Sequence, residues 1–306
     1  MTTDVARSRW DDAAVAAQLG LTTVAQSLRE QGAACAQAAL GQNPTSRTAS
    51  WSIIRRMDLL IASLADRPDL PSTYAAGEDL WPEFMYEDPT AGLYYADNHT
   101  AFPEFVVVAV DVAEPDRIAA RALSVPFTWD ADPDVELPVD GWDGVIRRAA
   151  LDRQLGRRGN LVSALEITIR PDLQGRGLSA TMLDAMRRNA TKLGFESLVA
   201  PVRPTAKHRH PHMPITEYAA WSRADGLPYD PWLRVHVRAG GRIVGVCHRA
   251  MVIPGTLAEW RSWTGLPFDT SGLVVVPDAL VPVHCDTVHD HAVYVEPAVW
   301  VHHRLT

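Results

Sequence analysis

The feature that most constrains this chain is the run Ile169-Arg170-Pro171-Asp172-Leu173-Gln174-Gly175-Arg176-Gly177-Leu178-Ser179. Before it, Leu165-Glu166-Ile167-Thr168-Ile169 reads as a strand. After it, Met182, Leu183, Met186, Ala190 and Leu193 mark one face of a helix that Gly194 closes. Glycines at 175 and 177 let the backbone approach a ligand with no side chain in the way. The first helical turn leaves N–H groups unpaired, and the helix dipole adds partial positive charge. Together they make a site for phosphate oxygens, with Ser179 to cap or bond them and Arg176 to add a formal charge. Two familiar phosphate loops do not fit. A P-loop needs Lys and Ser/Thr after its second glycine, where Leu178 stands; the dinucleotide fingerprint needs a third glycine where Ala180 stands.

Around this segment the pattern is mixed. Leu59 to Leu64 is an apolar run that fits a strand, although Ile53, Met57, Leu60 and Leu64 also share one helical face. Two short helices are expected between Trp81 and Tyr95, broken at Asp88-Pro89. Phe105 to Val110 and Ile118 to Phe127 read as strands joined by the turn Ala113-Glu114-Pro115-Asp116. Asp130 to Asp143 reads as an acidic loop, followed by Arg147, Arg148, Arg153, Arg157 and Arg158, mostly on a helix. Leu198 to Val202 is a buried strand. Trp232 to Arg238 and Arg242 to His248, joined by Gly240-Gly241, read as a hairpin. Leu273 to Val276 and Val293 to Val295 add strand. The implied architecture is mixed α/β on one sheet.

Residues 1–52 differ: alanine-rich with a thin apolar stripe, they read as two short helices that form an extension to a domain running from 57 to 306. The chain has 306 residues, 47% apolar, and a formal charge of −8. That supports a substantial core and argues against indiscriminate nucleic-acid binding. No apolar run reaches the ~18 residues of a membrane span, and the first residues lack the order of a secretory signal, so the expected location is the cytoplasm. Cys35, Cys247 and Cys285 are too scattered for a disulfide framework.

A strand, a proline, Gln174-Gly175-Arg176-Gly177-Leu178-Ser179 and an amphipathic helix closed by Leu-Gly-Phe resemble the acyl-CoA loop of the Gcn-related N-acetyltransferase (GNAT) superfamily, Gln/Arg-x-x-Gly-x-Gly/Ala, with Ser179 in the last place. The resemblance implies a single mixed twisted sheet with helices on both faces, splayed between its fourth strand (Ser163 to Ile169) and fifth (Leu198 to Val202). The run at 59–64 becomes the first strand. The co-substrate implied is acetyl-CoA or another acyl-CoA. Backbone groups of Ile167 and Ile169 would pair with its pantetheine arm. Gln174 and the amides of Gly175, Arg176, Gly177, Leu178 and Ser179 would hold the pyrophosphate. Thr205 stands where the family often has a pantetheine-binding Asn. The activity implied is direct attack of an amine on the thioester. Glu166, eight residues before the Gln, is the candidate base or amine anchor, set by strand alternation opposite Leu165 and Ile167. Tyr218 is the candidate acid for the thiolate, with Tyr229 in reserve.

Other constellations compete. Arg203 to His212 holds Arg203, Lys207, Arg209 and three histidines; it reads as a phosphate clamp, a carrier-protein or tRNA contact, a histidine base or a solvated loop. His284 to His291 offers imidazole and thiolate, but no closed zinc spacing, so no metal is expected. The acidic loop could attract a cationic acceptor. The reading is an acyl-CoA N-acyltransferase acting on a small-molecule amine. The alternatives keep the fold but use an aminoacyl-tRNA or acyl-carrier-protein donor, or bind CoA without catalysis.

Overall fold

The computed structural model describes residues 57–74, 81–95 and 98–305. The expected helices of 1–52 lie outside the described residues. One sheet organises the rest, in the order β1-β2-β3-β4-β5-β9-β8-β7, with β6 also paired to β9. Its first strands are β1 (Leu59–Ser63), β2 (Val106–Asp111) and β3 (Glu114–Phe127), joined antiparallel. The run at 59–64 is thus strand: its backbone pairs with a β-branched partner, Val106 to Val110, that is buried along its length. Then β4 (Leu161–Ile169) lies antiparallel to β3 and parallel to β5 (Ser197–Val202).

The β4–β5 contact is short. Only Val162 pairs with Leu198 and Ser163 with Val199; beyond them the strands diverge. Strand β5 keeps its other edge on β9 (His291–Arg304) through six register pairs, from Ser197↔Arg304 to Val202↔Val299. The gap is therefore held open by a fully paired strand on its far side.

Two layers of helix cover the faces near the gap. Helix α1 (Gly141–Gln154) buries Val145 and Ala149 against Val125, Phe127, Leu161, Val199 and Trp300. Helix α2 (Leu178–Lys192) buries Met182, Met186 and Ala190 against Val162, Ala164, Leu198, Ala200 and Val202. Alternation along β5 thus sends 198, 200 and 202 to the α2 side and 199 to the α1 side. Along β4 the alternation is broken. Leu123 opposes Glu166 and Ser124 opposes Ala164, so Leu165 is the extra residue of a bulge.

Short helices follow: α3 (Ile215–Ala220), α4 (Pro231–Arg238) and, after β6 (Arg242–Gly255), α5 (Leu257–Thr264). Trp232 to Arg238, expected as a strand, is helix α4. The Asp230 carboxylate accepts from the amides of Trp232 and Leu233, and Pro231 opens the first turn, so the start signal outweighs the β-branched content. Gly240, in the left-handed region, ends this helix rather than turning a hairpin. Helix α5, not anticipated, has a Thr256/Glu259 capping box and Gly265 past its end. With it, β7 (Gly272–Val274), β8 (Val283–Asp286) and the C-terminal half of β6 close a second core around Trp260, Phe268 and Tyr294. Among the described residues, no helix is long and apolar enough to cross a membrane.

Candidate active site

The turn after β4 has the conformation its glycines permit. Gly175 and Gly177 sit at φ +75° and +82°, and Gly177 caps the N-terminus of α2. Residues 174–177 are exposed; the Gln174 amide donates to the Pro171 carbonyl, and among the described residues no backbone bond occupies the amides of 175–177. Gln174 donates its side-chain amide to the Ile169 carbonyl at 3.3 Å, tying the turn to the strand end.

From this turn a cleft of about 1270 Å³ runs into the β4–β5 gap. Ile167, Ile169, Gln174, Gly175, Leu178, Ser179 and Thr205 line it, while Arg176 and Gly177 are exposed members of the same turn. On the α2 side its wall is completed by Trp232 and His236. His236 is buried and bonded through Nδ1 to His303 Nε2 at 2.9 Å; burial lowers the two imidazoles to about 3 and about 4, so both are neutral. His208 also lines the cleft, with its Nδ1 donating to the Thr205 carbonyl at 3.0 Å.

Glu166 lies on the other face. The bulge puts it on the same side as Leu165 and opposite Ile167, where simple alternation had set it against both. There the Tyr95 hydroxyl donates to Glu166 Oε2 at 2.6 Å, and Arg121 Nη2 and the Thr168 hydroxyl donate to Oε1, each at 3.0 Å. Burial beside the Glu166 charge raises the Tyr95 phenol well above its ordinary value, so it remains a donor. Burial alone would lower Arg121, but the Glu166 carboxylate outweighs it and keeps the guanidinium charged.

The opposite lip of the gap carries a second pair of the same kind. Arg203, just past β5, donates from Nε to both Glu296 oxygens at 3.1 and 3.0 Å. Glu296 also accepts the Tyr294 hydroxyl at 2.7 Å. On β9, Glu296 shares its face with Ala298 and Trp300, which pack on the α1 side. The segment Trp81 to Tyr95 closes the chamber between the two pairs, with Trp81, Met85 and Tyr86 on its wall and Trp142 of α1 beside Tyr95. One cleft therefore passes through the sheet: the phosphate-type turn opens on the α2 face, and a chamber of paired acids and aromatics opens on the other.

Several expected groups lie elsewhere. Tyr218 is 1% exposed, absent from the cleft wall, and donates its hydroxyl to Asp230 Oδ2 at 3.0 Å; burial and that carboxylate raise it far above an ordinary phenol. Tyr229 stacks on Trp221 outside the cleft. Lys207 is fully buried, donating to the carbonyls of His210 and Leu280 at 2.7 and 2.8 Å, and burial lowers it to about 8. The basic stretch thus turns much of its charge inward. Among the described residues, no group of three or more His, Cys, Asp or Glu is placed to hold a metal ion. Tyr95, Arg121, Trp142 and Glu296 were not anticipated. The available signal was a charge inside an apolar strand, as with Arg121 in Ile118 to Leu123 and Glu296 in Val293 to Val301.

No family model matches the chain. The arginine N-acetyltransferase avaD of Aspergillus versicolor is 34% identical over 275 residues, spanning 80% of this chain and 93% of that protein. Among solved structures, the loading GNATL domain of CurA from Lyngbya majuscula aligns with 82% of this chain and 98% of its own, at 17% identity and a TM-score of 0.47. A GNAT superfamily phosphinothricin acetyltransferase from Sinorhizobium meliloti, in complex with AcCoA, aligns with 81% of this chain and 88% of its own, at 14% identity and a TM-score of 0.36. A chain 34% identical to an N-acetyltransferase across nearly all of that protein's length shares its family: the protein belongs to the GNAT superfamily and is an acyl-CoA N-acyltransferase.

Proposed function

We propose that the unit from 57 to 306 transfers an acetyl or similar small acyl group from acyl-CoA to the amine of a small guanidino compound of the arginine type. The similarity to an arginine N-acetyltransferase supports that acceptor class. So does the chamber, whose Glu166 and Glu296 can meet a cation and whose Trp81, Tyr95 and Trp142 rings offer it π faces. The observation that carries the reading is the cleft crossing the sheet at the β4–β5 gap, with the glycine turn at one mouth and Glu166 at the other.

In this reading the diphosphate lies on the amides of 175–179 with Gln174 beside it, and the pantetheine arm follows the β4 edge at Ile167 and Ile169 past Thr205. The acceptor enters from the chamber. Among the described residues Glu166 Oε2 accepts only the Tyr95 bond, which leaves room for an ammonium hydrogen. Glu166 takes one ammonium proton and the freed amine attacks the thioester carbonyl; the N–C bond forms, the C–S bond breaks, and the nitrogen's second proton passes to the departing sulfur, so that CoA leaves as the thiol. Tyr218 has no part in this reading, because its hydroxyl is spent on Asp230 away from the cleft. A tRNA or carrier-protein donor draws less support. Arg147 and Arg148 are paired with Asp140, Arg203 with Glu296, and Lys207 with carbonyls.

The test is release of free CoA thiol from acetyl-CoA on addition of L-arginine, with the product identified by a mass gain of one acetyl group. Thiol release that does not depend on an added amine contradicts the proposal.

A further inference from the structure

The two guanidinium groups of the chamber are not equally occupied. Arg121 donates from Nη1 to the Ser72 carbonyl and from Nη2 to Glu166, both at 3.0 Å, and its ring neighbour is Tyr74. Arg203 spends Nε on Glu296 and one Nη2 hydrogen on the Asp278 carbonyl at 2.6 Å. Among the described residues its Nη1 bonds to nothing, although the side chain lines the cleft. What remains is Nη1 with the second hydrogen of Nη2, two donors that a carboxylate can accept from.

This guanidinium is also held in place. Glu296, 4% exposed, is itself held by Tyr294, and the Arg203 guanidinium lies 5.8 Å from the Trp81 ring centroid. Holding it there in advance removes most of the ordering cost of binding an anion. A purely cationic acceptor would leave these donors unfilled and gain nothing from the Arg203 charge. An acceptor carrying an acid next to its amine turns the same charge into attraction.

We infer that the acceptor bears a free carboxylate and that Arg203 is the residue that takes it, so that the enzyme selects amino acids over amines lacking the acid group. The inference rests on the proposed transfer to an amine. In this arrangement Arg203 holds the carboxylate on the β5 lip while Glu166 receives the amine on the β4 lip.

The test compares kcat/KM at saturating acetyl-CoA for L-arginine, its methyl ester and agmatine, and for L-lysine against cadaverine. The acids are expected to exceed their partners by about 10- to 100-fold, the effect of one charged bidentate contact. Arg203→Gln is expected to level these ratios, and Arg203→Lys to restore part of them, with KM for acetyl-CoA within about twofold of wild type. Arg203→Gln leaves Glu296 without its cation, so melting curves accompany it; the wild-type comparison needs no variant and decides the matter if that protein does not fold. Equal or better use of the ester, agmatine and cadaverine overturns the role of Arg203 while leaving amine acylation standing. No acylation of any amine in the panel overturns both.

Discussion

At Glu166 a half-buried carboxylate is held by three donors among the described residues yet keeps accepting capacity on Oε2. Such a group can orient an amine and take its proton without first being freed from a competing bond. Glu166→Gln keeps the shape and removes the charge. It is expected to lower kcat by about 10²- to 10⁴-fold while changing acetyl-CoA affinity less than about threefold, read by steady-state kinetics and titration calorimetry. An unchanged kcat would remove Glu166 from the chemistry. Tyr218→Phe is a counter-test. It deletes a hydroxyl bonded to Asp230, so a loss of about 1 kcal/mol in stability with kcat within about twofold of wild type is expected. A large fall in kcat at full stability would restore Tyr218 to the reaction. At this scale the sequence was informative only where neighbours in the chain are neighbours in space. Glu166 and the 174–179 turn lie on one strand–turn–helix unit and could be read in order. Tyr95 and Arg121 meet Glu166 across 71 and 45 residues and Glu296 meets Arg203 across 93, and no local pattern announces such contacts.

At the scale of elements, the segment Trp81 to Tyr95 forms the chamber wall, and its attachment to α1 is acidic on both sides. Asp88 is 1% exposed and accepts from the Ala91 amide; Asp143 on α1 is 3% exposed and accepts from the Val252 amide. Burial first, and then the Asp88 charge, push Asp143 up to about 7, with Arg147 opposing. A carboxyl whose folded value is raised stabilises the fold fully below its unfolded value, near 3.8, and loses that contribution as pH rises through about 7. Asp143→Asn stays neutral throughout and keeps an acceptor for Val252. Its stability relative to wild type is therefore expected to grow by on the order of 2 kcal/mol between pH 5 and pH 8, measured by denaturant melts. A difference that is the same at both pH values would show that Asp143 does not carry this proton. Elements also show where periodicity misleads. Trp232 to Arg238 contains Val235 and Val237 and resembles a strand, but Asp230-Pro231 caps it into α4. Capping acts through one or two residues at the boundary, and here it overrides the preference of the residues that follow.

Over the whole molecule the sheet does the positioning. Because β4 and β5 share only two register pairs while β5 is fully paired to β9, the gap is a fixed property of the fold rather than a loop that must open. Donor and acceptor can then approach from opposite faces and meet where the strands part. The class of fold was legible because strand, turn and helix at 161–193 carry strong, consistent local signals. The second core was not legible: Trp260, Phe268 and Tyr294 belong to segments of weak periodicity that gain order only by packing on one another. The most direct test is a crystal structure with acetyl-CoA. The diphosphate is expected within hydrogen-bonding distance of the amides of 175–179, with the arm between β4 and β5 and the acetyl group toward Glu166. A cofactor bound elsewhere, or a gap that stays filled by protein side chains at saturating acetyl-CoA, would contradict it.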